Sequence, residues 1–177
     1  SHQIALNCAA VTFMVPLAIS SAGAIRVGHA LGRGCPNEAR AAGWAALLLG
    51  AGFMSCAAVV FIMVPVSILR IFTVDTGVLT VGAALLYIAA LFQLSDGLQV
   101  VATGVLRGAG ETRIPMISTL FGHWVLGLPI GYFLCFQWGL GASGIWVGWV
   151  VGLTTVAVVL LVVWHRKMDG KPHLVTD

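Results

Sequence analysis

The chain has 177 residues, of which 59% are hydrophobic and only nine are Lys or Arg and six Asp or Glu. A charged fraction of 8%, against roughly 25% in soluble domains, together with a mean hydropathy of +1.02, excludes a soluble globular domain, a disordered chain and a small disulfide-stapled secreted domain. The net charge of +3 gives no indication of nucleic-acid binding, and what matters is where the charges sit.

A helix crossing the roughly 30 Å hydrocarbon layer needs about 20 apolar residues. By that measure the sequence predicts an all-α integral membrane protein with five transmembrane helices, at about 4–24, 41–69, 76–106, 114–136 and 142–164. Residues 1–167 would form the transmembrane unit and 168–177 a cytoplasmic tail. In chain order, Gly32-Arg33-Gly34-Cys35-Pro36-Asn37 stops the first helix and Asp75 is placed to cap the third. Gln137-Trp138-Gly139-Leu140-Gly141 turns the chain between the last two. Gly144, Gly148 and Gly152 form two overlapping GxxxG units, read as intramolecular helix packing rather than dimerisation. Trp138, Trp146, Trp149 and Trp164 read as interfacial anchors.

The charges predict an orientation. Arg26, Arg33 and Arg40 in the first loop, Arg107 and Arg113 in the third, and Arg166, Lys167 and Lys171 at the end fall on one side, while Arg70 alone falls on the other. The richer side is expected to be cytoplasmic, which puts the N-terminus outside and the C-terminus inside the plasma membrane, the bacterial inner membrane. The first residue is Ser, and helix begins without a basic signal-peptide region. A piece of a longer protein is therefore expected, because transporters are commonly built from paired repeats.

Asp96 is the one acid well inside a span, roughly 7 Å from the middle of its helix, and a charged Asp near the bilayer centre costs about 2.5–3.5 kcal/mol. Gln93, Asp96, Gln99 and Thr103 share an arc of about 120° on the helical wheel. The stripe reads either as helix–helix glue with Asp96 protonated, or as an ion or proton site, since a carboxylate in low dielectric stays charged only beside a cation. In the first helix Asn7 and Met14 share a face with Gln3 and Ser21. Pro16 and Pro129 each remove a backbone donor, freeing the carbonyls of Thr12 and Val125, either to line a cavity or to shape packing. His123, inside the fourth helix, is a packing residue or a proton carrier. No catalytic residues are indicated: GxxxxGK[ST], HExxH and a Ser/His/Asp arrangement are all missing, and Cys8, Cys35, Cys56 and Cys135 form neither a CxxC pair nor a zinc set.

Four stretches carry a resemblance in their order and spacing. They are Ala5 to Gly34 with Val15-Pro16-Leu17 and Arg26-Val27-Gly28-His29-Ala30-Leu31-Gly32; Ala90 to Gln99 with Gln93-Leu94-Ser95-Asp96; Leu106-Arg107-Gly108-Ala109-Gly110-Glu111-Thr112; and Gly139 to Trp146. Together they resemble the multidrug and toxic compound extrusion (MATE) transporters, especially the NorM-type branch. The resemblance implies a twelve-helix fold of two six-helix lobes, with this chain the second lobe less its first helix, and a missing N-terminal lobe as its partner. It implies a secondary antiporter that exports cationic amphipathic drugs and dyes by alternating access, with Asp96 holding the coupling ion, Na+ or H+, and no other metal or cofactor. Gln93, Gln99, Thr103, Asn7, Met14 and His123 would line the cavity; the family usually shows an aromatic where this chain has His123. A lipid-linked oligosaccharide flippase of the same superfamily is the alternative, although no Lys or Arg lies mid-span to hold a pyrophosphate. A non-transporting membrane subunit is the other.

Overall fold

The computed structural model describes residues 2–73, 75–138 and 142–169. The first helix, α1 (His2–Gly32), ends where Gly34 turns with a φ of +72°. Gly34 N–H donates to Leu31 O and Cys35 N–H to Ala30 O, each at 2.9 Å, so the orphan carbonyls of the last turn are satisfied by a left-handed cap. Pro36 then opens α2 (Pro36–Met63), a position where its missing donor costs nothing. The apolar run expected as one crossing over 41–69 is divided at Val64, whose φ of −133° and ψ of 43° lie outside the helical region. Pro65 disfavours helical geometry in the residue before it, and a short α3 (Pro65–Arg70) follows.

Asp75 caps α4 (Thr76–Gly108) as its chemistry predicts, accepting from Gly77 N at 2.8 Å and Val78 N at 3.2 Å. Asp75→Ala is expected to destabilise the folded protein by about 1 kcal/mol, and Asn to restore most of it. Thermal unfolding in detergent checks this, and equal midpoints for Ala and Asn would contradict it. A second left-handed glycine, Gly110 at φ +75°, closes α4 with Glu111 N–H donating to Leu106 O at 2.9 Å.

The fourth crossing is α5 (Arg113–Leu120), a π-helical segment (Phe121–Gly127) and α6 (Leu128–Phe136) in unbroken succession. Leu128 N–H reaches back five residues to His123 O, so the donor missing at Pro129 falls within a widened turn rather than an ordinary α-helical one. The last helix, α7, runs Ala142–Asp169. The expected turn at Gly139, Leu140 and Gly141 and the tail from Gly170 lie outside the described residues.

Among the described residues, five helices are long and apolar enough to cross a membrane: Asn7–Gly32, Pro36–Met63, Thr76–Gly108, Arg113–Phe136 and Gly144–Asp169. Three of them run several residues past the boundaries expected from apolar counting, because their polar ends continue as helix beyond the hydrocarbon layer. α4 is the axis of the bundle, packed by α1, α2 and α7, while α7 also carries the fourth crossing. One core joins Val27, Leu47, Val101, Val105, Leu160 and Trp164; a second joins Phe61, Leu69, Leu86, Phe92 and Trp146.

Lipid tails are as apolar as these side chains, so association depends on close fit. Gly122, Gly127 and Gly131 face Gly144, Gly148 and Gly152 across the fourth and fifth crossings, backbone against backbone. The GxxxG units therefore pack within the chain, as expected. The tryptophans depart from expectation. Trp164 is fully buried over Gly43, and Trp146 is buried against Phe92, so neither is an interfacial anchor; Trp138 and Trp149 are exposed.

Candidate functional site

Between Gln93 and Thr103 the central helix α4 meets three neighbours, and residues of the polar stripe and beside it take different partners. Gln93 is fully buried and its Nε2 donates to Thr12 Oγ1 of α1 at 2.7 Å, one turn before the buried Pro16. Ser95 shares a 2.9 Å hydrogen bond with Thr154 of α7. Gly97 lies under Met54 of α2. Thr103 Oγ1 donates to Gln99 O of its own helix at 2.8 Å and lines an open cleft.

That cleft, of about 880 Å³, lies between the second half of α4 and the fourth crossing, bounded by Thr103, Arg107, Glu111, Met116, Leu120, His123 and Trp124. Asp96 stands two helical turns from Thr103 on nearly the same face, about 10 Å along the axis. Its carboxylate is half-buried and within electrostatic range of His123, and among the described residues it has no hydrogen-bond partner. Anchored by Nδ1 on Thr119 O at 2.9 Å, the His123 ring leaves Nε2 free of that bond. The π-helical widening presents this ring, and π-turns inside α-helices occur frequently at functional sites.

One turn before and one turn after Asp96, the side-chain carbonyls of Gln93 and Gln99 are buried without a donor. A buried acceptor left unpaired costs about 1–3 kcal/mol. Three oxygen-bearing side chains on successive turns of one helix, two with unpaired acceptors, suit a proton or a hard cation such as Na+. Among the described residues no group of three or more His, Cys, Asp or Glu is placed to hold a metal ion.

Other residues expected at a cavity lie elsewhere. Asn7 is exposed near the start of α1 and accepts from Gln3 at 3.4 Å; Met14 is 62% exposed. With Ser21, which bonds Leu17 O, they form the face of α1 that the described chain leaves uncovered. Of the residues that tether Gln93, Ser95 and His123, Thr154 and Thr119 were not singled out by sequence reasoning, and Thr12 only for the carbonyl that Pro16 frees. Only Thr119, four residues before His123, carried a local signal.

A central acid-bearing helix held among four apolar crossings is the build of a multi-pass membrane protein. Comparison with known proteins agrees: the MatE family profile matches residues 1–133, and the chain belongs to the MatE family. It is 47% identical over 175 residues to the multidrug resistance protein NorM of Burkholderia vietnamiensis, covering 96% of this chain and 38% of that protein. It is 42% identical over 165 residues to the multidrug resistance protein PmpM of Pseudomonas aeruginosa, covering 91% of this chain and 35% of that protein. The chain thus spans little more than a third of the length of these relatives. The eukaryotic MATE transporter AtDTX14 shares the fold at a TM-score of 0.82 and 23% identity, over 95% of this chain and 39% of that one. An inward-facing multidrug resistance MATE family transporter shares it at 0.79 and 17%, over 94% and 38%.

Proposed function

We propose that these five helices belong to the C-terminal lobe of a multidrug antiporter that exports cationic amphipathic compounds in exchange for Na+ or H+. The observation that carries this reading is Asp96: the one acid deep in a span, within electrostatic range of the cleft residue His123 and flanked by the unpaired carbonyls of Gln93 and Gln99. The relatives named for multidrug resistance support the substrate class. The role is transport, not catalysis.

The exchange follows from charge. With H+ or Na+ bound, the Asp96 site is neutral and has no electrostatic hold on a cationic drug. Once that ion leaves, the carboxylate is uncompensated in a medium of low dielectric and attracts the next cation, drug or ion. One cation thus replaces another, and alternating access of two lobes around the cavity would deliver them from opposite sides. The uncovered polar face of α1, with Asn7 and Met14, suits packing or cavity lining against the other lobe. Ethidium efflux from proteoliposomes holding the two-lobe transporter, with sodium and proton gradients imposed separately, tests the reading. Efflux driven by either gradient is expected, and gradient-independent movement would overturn it.

We also propose that the first and third loops face the cytoplasm, on the strength of the eight-to-one Lys/Arg count. In a cysteine-free background, a cysteine at Asn37 is expected to react with impermeant maleimide only from the cytoplasm, and one at Thr76 only from outside. The reverse pattern would refute the orientation.

A further inference from the structure

A second open cleft, of about 970 Å³, lies where α1 meets α2, and it is lined by Arg26, His29, Arg33, Glu38, Ala41 and Ala45. Arg33 is engaged by Glu38 at 2.6 Å. Arg26 and His29, three residues apart and therefore on one helix face, are exposed, and among the described residues neither has an acidic partner. At the same end of the bundle Arg40 pairs with Asp169 at 2.7 Å and Lys167 with Glu111 at 3.5 Å, while Arg107, Arg113 and Arg166, which do not line this cleft, have no acidic partner among the described residues. The cleft therefore keeps a net positive charge and two unused donors.

Its depth in the bilayer follows from length. The 31 residues of α1 extend about 46 Å, against a hydrocarbon layer of roughly 30 Å, so the last turns of the helix emerge at headgroup level. Arg26 and His29 lie in those turns, with the alkyl stem of Arg26 able to follow the apolar surface while its guanidinium reaches outward. Ala41 and Ala45 of α2 give the cleft a low apolar wall, suited to the glycerol and first methylenes of a lipid.

We propose that this cleft is a binding site for the headgroup of an anionic phospholipid, with the phosphate diester held by Arg26 and His29. Arginine matches phosphate with paired donors, and a juxtamembrane cation adds attraction to anionic lipid. The site is separate from the Asp96 cleft and does not depend on transport activity.

Native mass spectrometry of the detergent-purified full-length transporter, with phosphatidylglycerol or phosphatidylcholine added, reads retained lipid directly. Phosphatidylglycerol is expected to be retained in preference. The double change Arg26→Gln with His29→Gln is expected to weaken retention about fivefold, the effect of roughly one charge near a membrane surface. Arg26→Lys is expected to keep most of it, and Arg70→Gln, at the opposite end of the bundle, to change nothing. Arg26→Gln alone serves if the double variant elutes as aggregate. Unchanged retention in the Gln variants, an equal loss in Arg70→Gln, or equal retention of phosphatidylcholine would overturn the proposal. Displacement of the lipid by an equal concentration of inorganic phosphate would also overturn it, identifying a free-anion site instead.

Discussion

Asp96→Asn in the two-lobe transporter is expected to insert and fold normally yet lose ethidium efflux under both a sodium and a proton gradient. Asn preserves the size and hydrogen-bonding capacity of the side chain but cannot carry the charge that exchanges one cation for another. A coupling free energy of ordinary size corresponds to roughly a 5- to 150-fold change in affinity, so gradient-driven efflux is expected to fall at least about fivefold, towards the gradient-free background. Glu should retain part of the activity, since it restores the charge with a displaced carboxylate. The competing role, a protonated Asp serving as helix glue, predicts near-normal transport for Asn, because Asn would supply the same hydrogen bonds. Among the described residues Asp96 has no hydrogen-bond partner, so on the glue reading its partner would lie in the other lobe. His123→Gln separates the two ions in the same assay. An imidazole within electrostatic range of the carboxylate serves a proton and competes with a metal cation, so the Gln variant is expected to lose proton-driven efflux and keep sodium-driven efflux. Full activity of Asp96→Asn under both gradients would remove this carboxylate from the mechanism.

Much of the architecture was readable because membrane crossing imposes length and composition together: about 20 apolar residues, with charge at the ends. Asp75 and the glycine turn before Pro36 were readable for a similar reason, since each acts on backbone groups a few residues away. Features set by distant partners were not. Trp164 has the composition and position of an interfacial anchor, and its burial is decided by Gly43, more than a hundred residues earlier, which leaves a hollow the indole fills. The π-helical turn at Phe121–Gly127 is a change of hydrogen-bond register with no composition signature, although it decides how His123 meets the cleft. The helical wheel gathered Gln93, Asp96, Gln99 and Thr103 onto one side of α4. It could not say that Gln93 would be taken up by Thr12 of α1 while Thr103 opens onto the cleft, because that division depends on which helices pack against each edge of the stripe.

A large stability effect is expected at Gly148. A methyl group built there would lie 2.5 Å from Gly131 N, and Gly152 would meet Gly122 O at 2.7 Å, so neighbouring backbone rather than a flexible side chain stands in the way. Backbone cannot yield without moving the whole fourth crossing, including the widened turn that carries His123. Gly148→Ala is therefore expected to cost about 3 kcal/mol, the upper end for overpacking, and Gly148→Leu to prevent the two helices from docking. The matched control is Gly52 in α2, where an added Cβ would meet nothing within 4 Å. There Gly→Ala is expected to be neutral or stabilising by up to about 1 kcal/mol, since Ala is the better helix former. Both substitutions add the same methyl group to a membrane helix, so general effects on insertion cancel and the difference between them isolates the close approach. The measurement is the temperature at which each detergent-solubilised variant ceases to elute as a monodisperse species. Equal midpoints for Gly148→Ala and Gly52→Ala would mean that the glycine seam does not hold the fourth and fifth crossings together, and that their contact is maintained instead by side chains such as Val156 against Gly122.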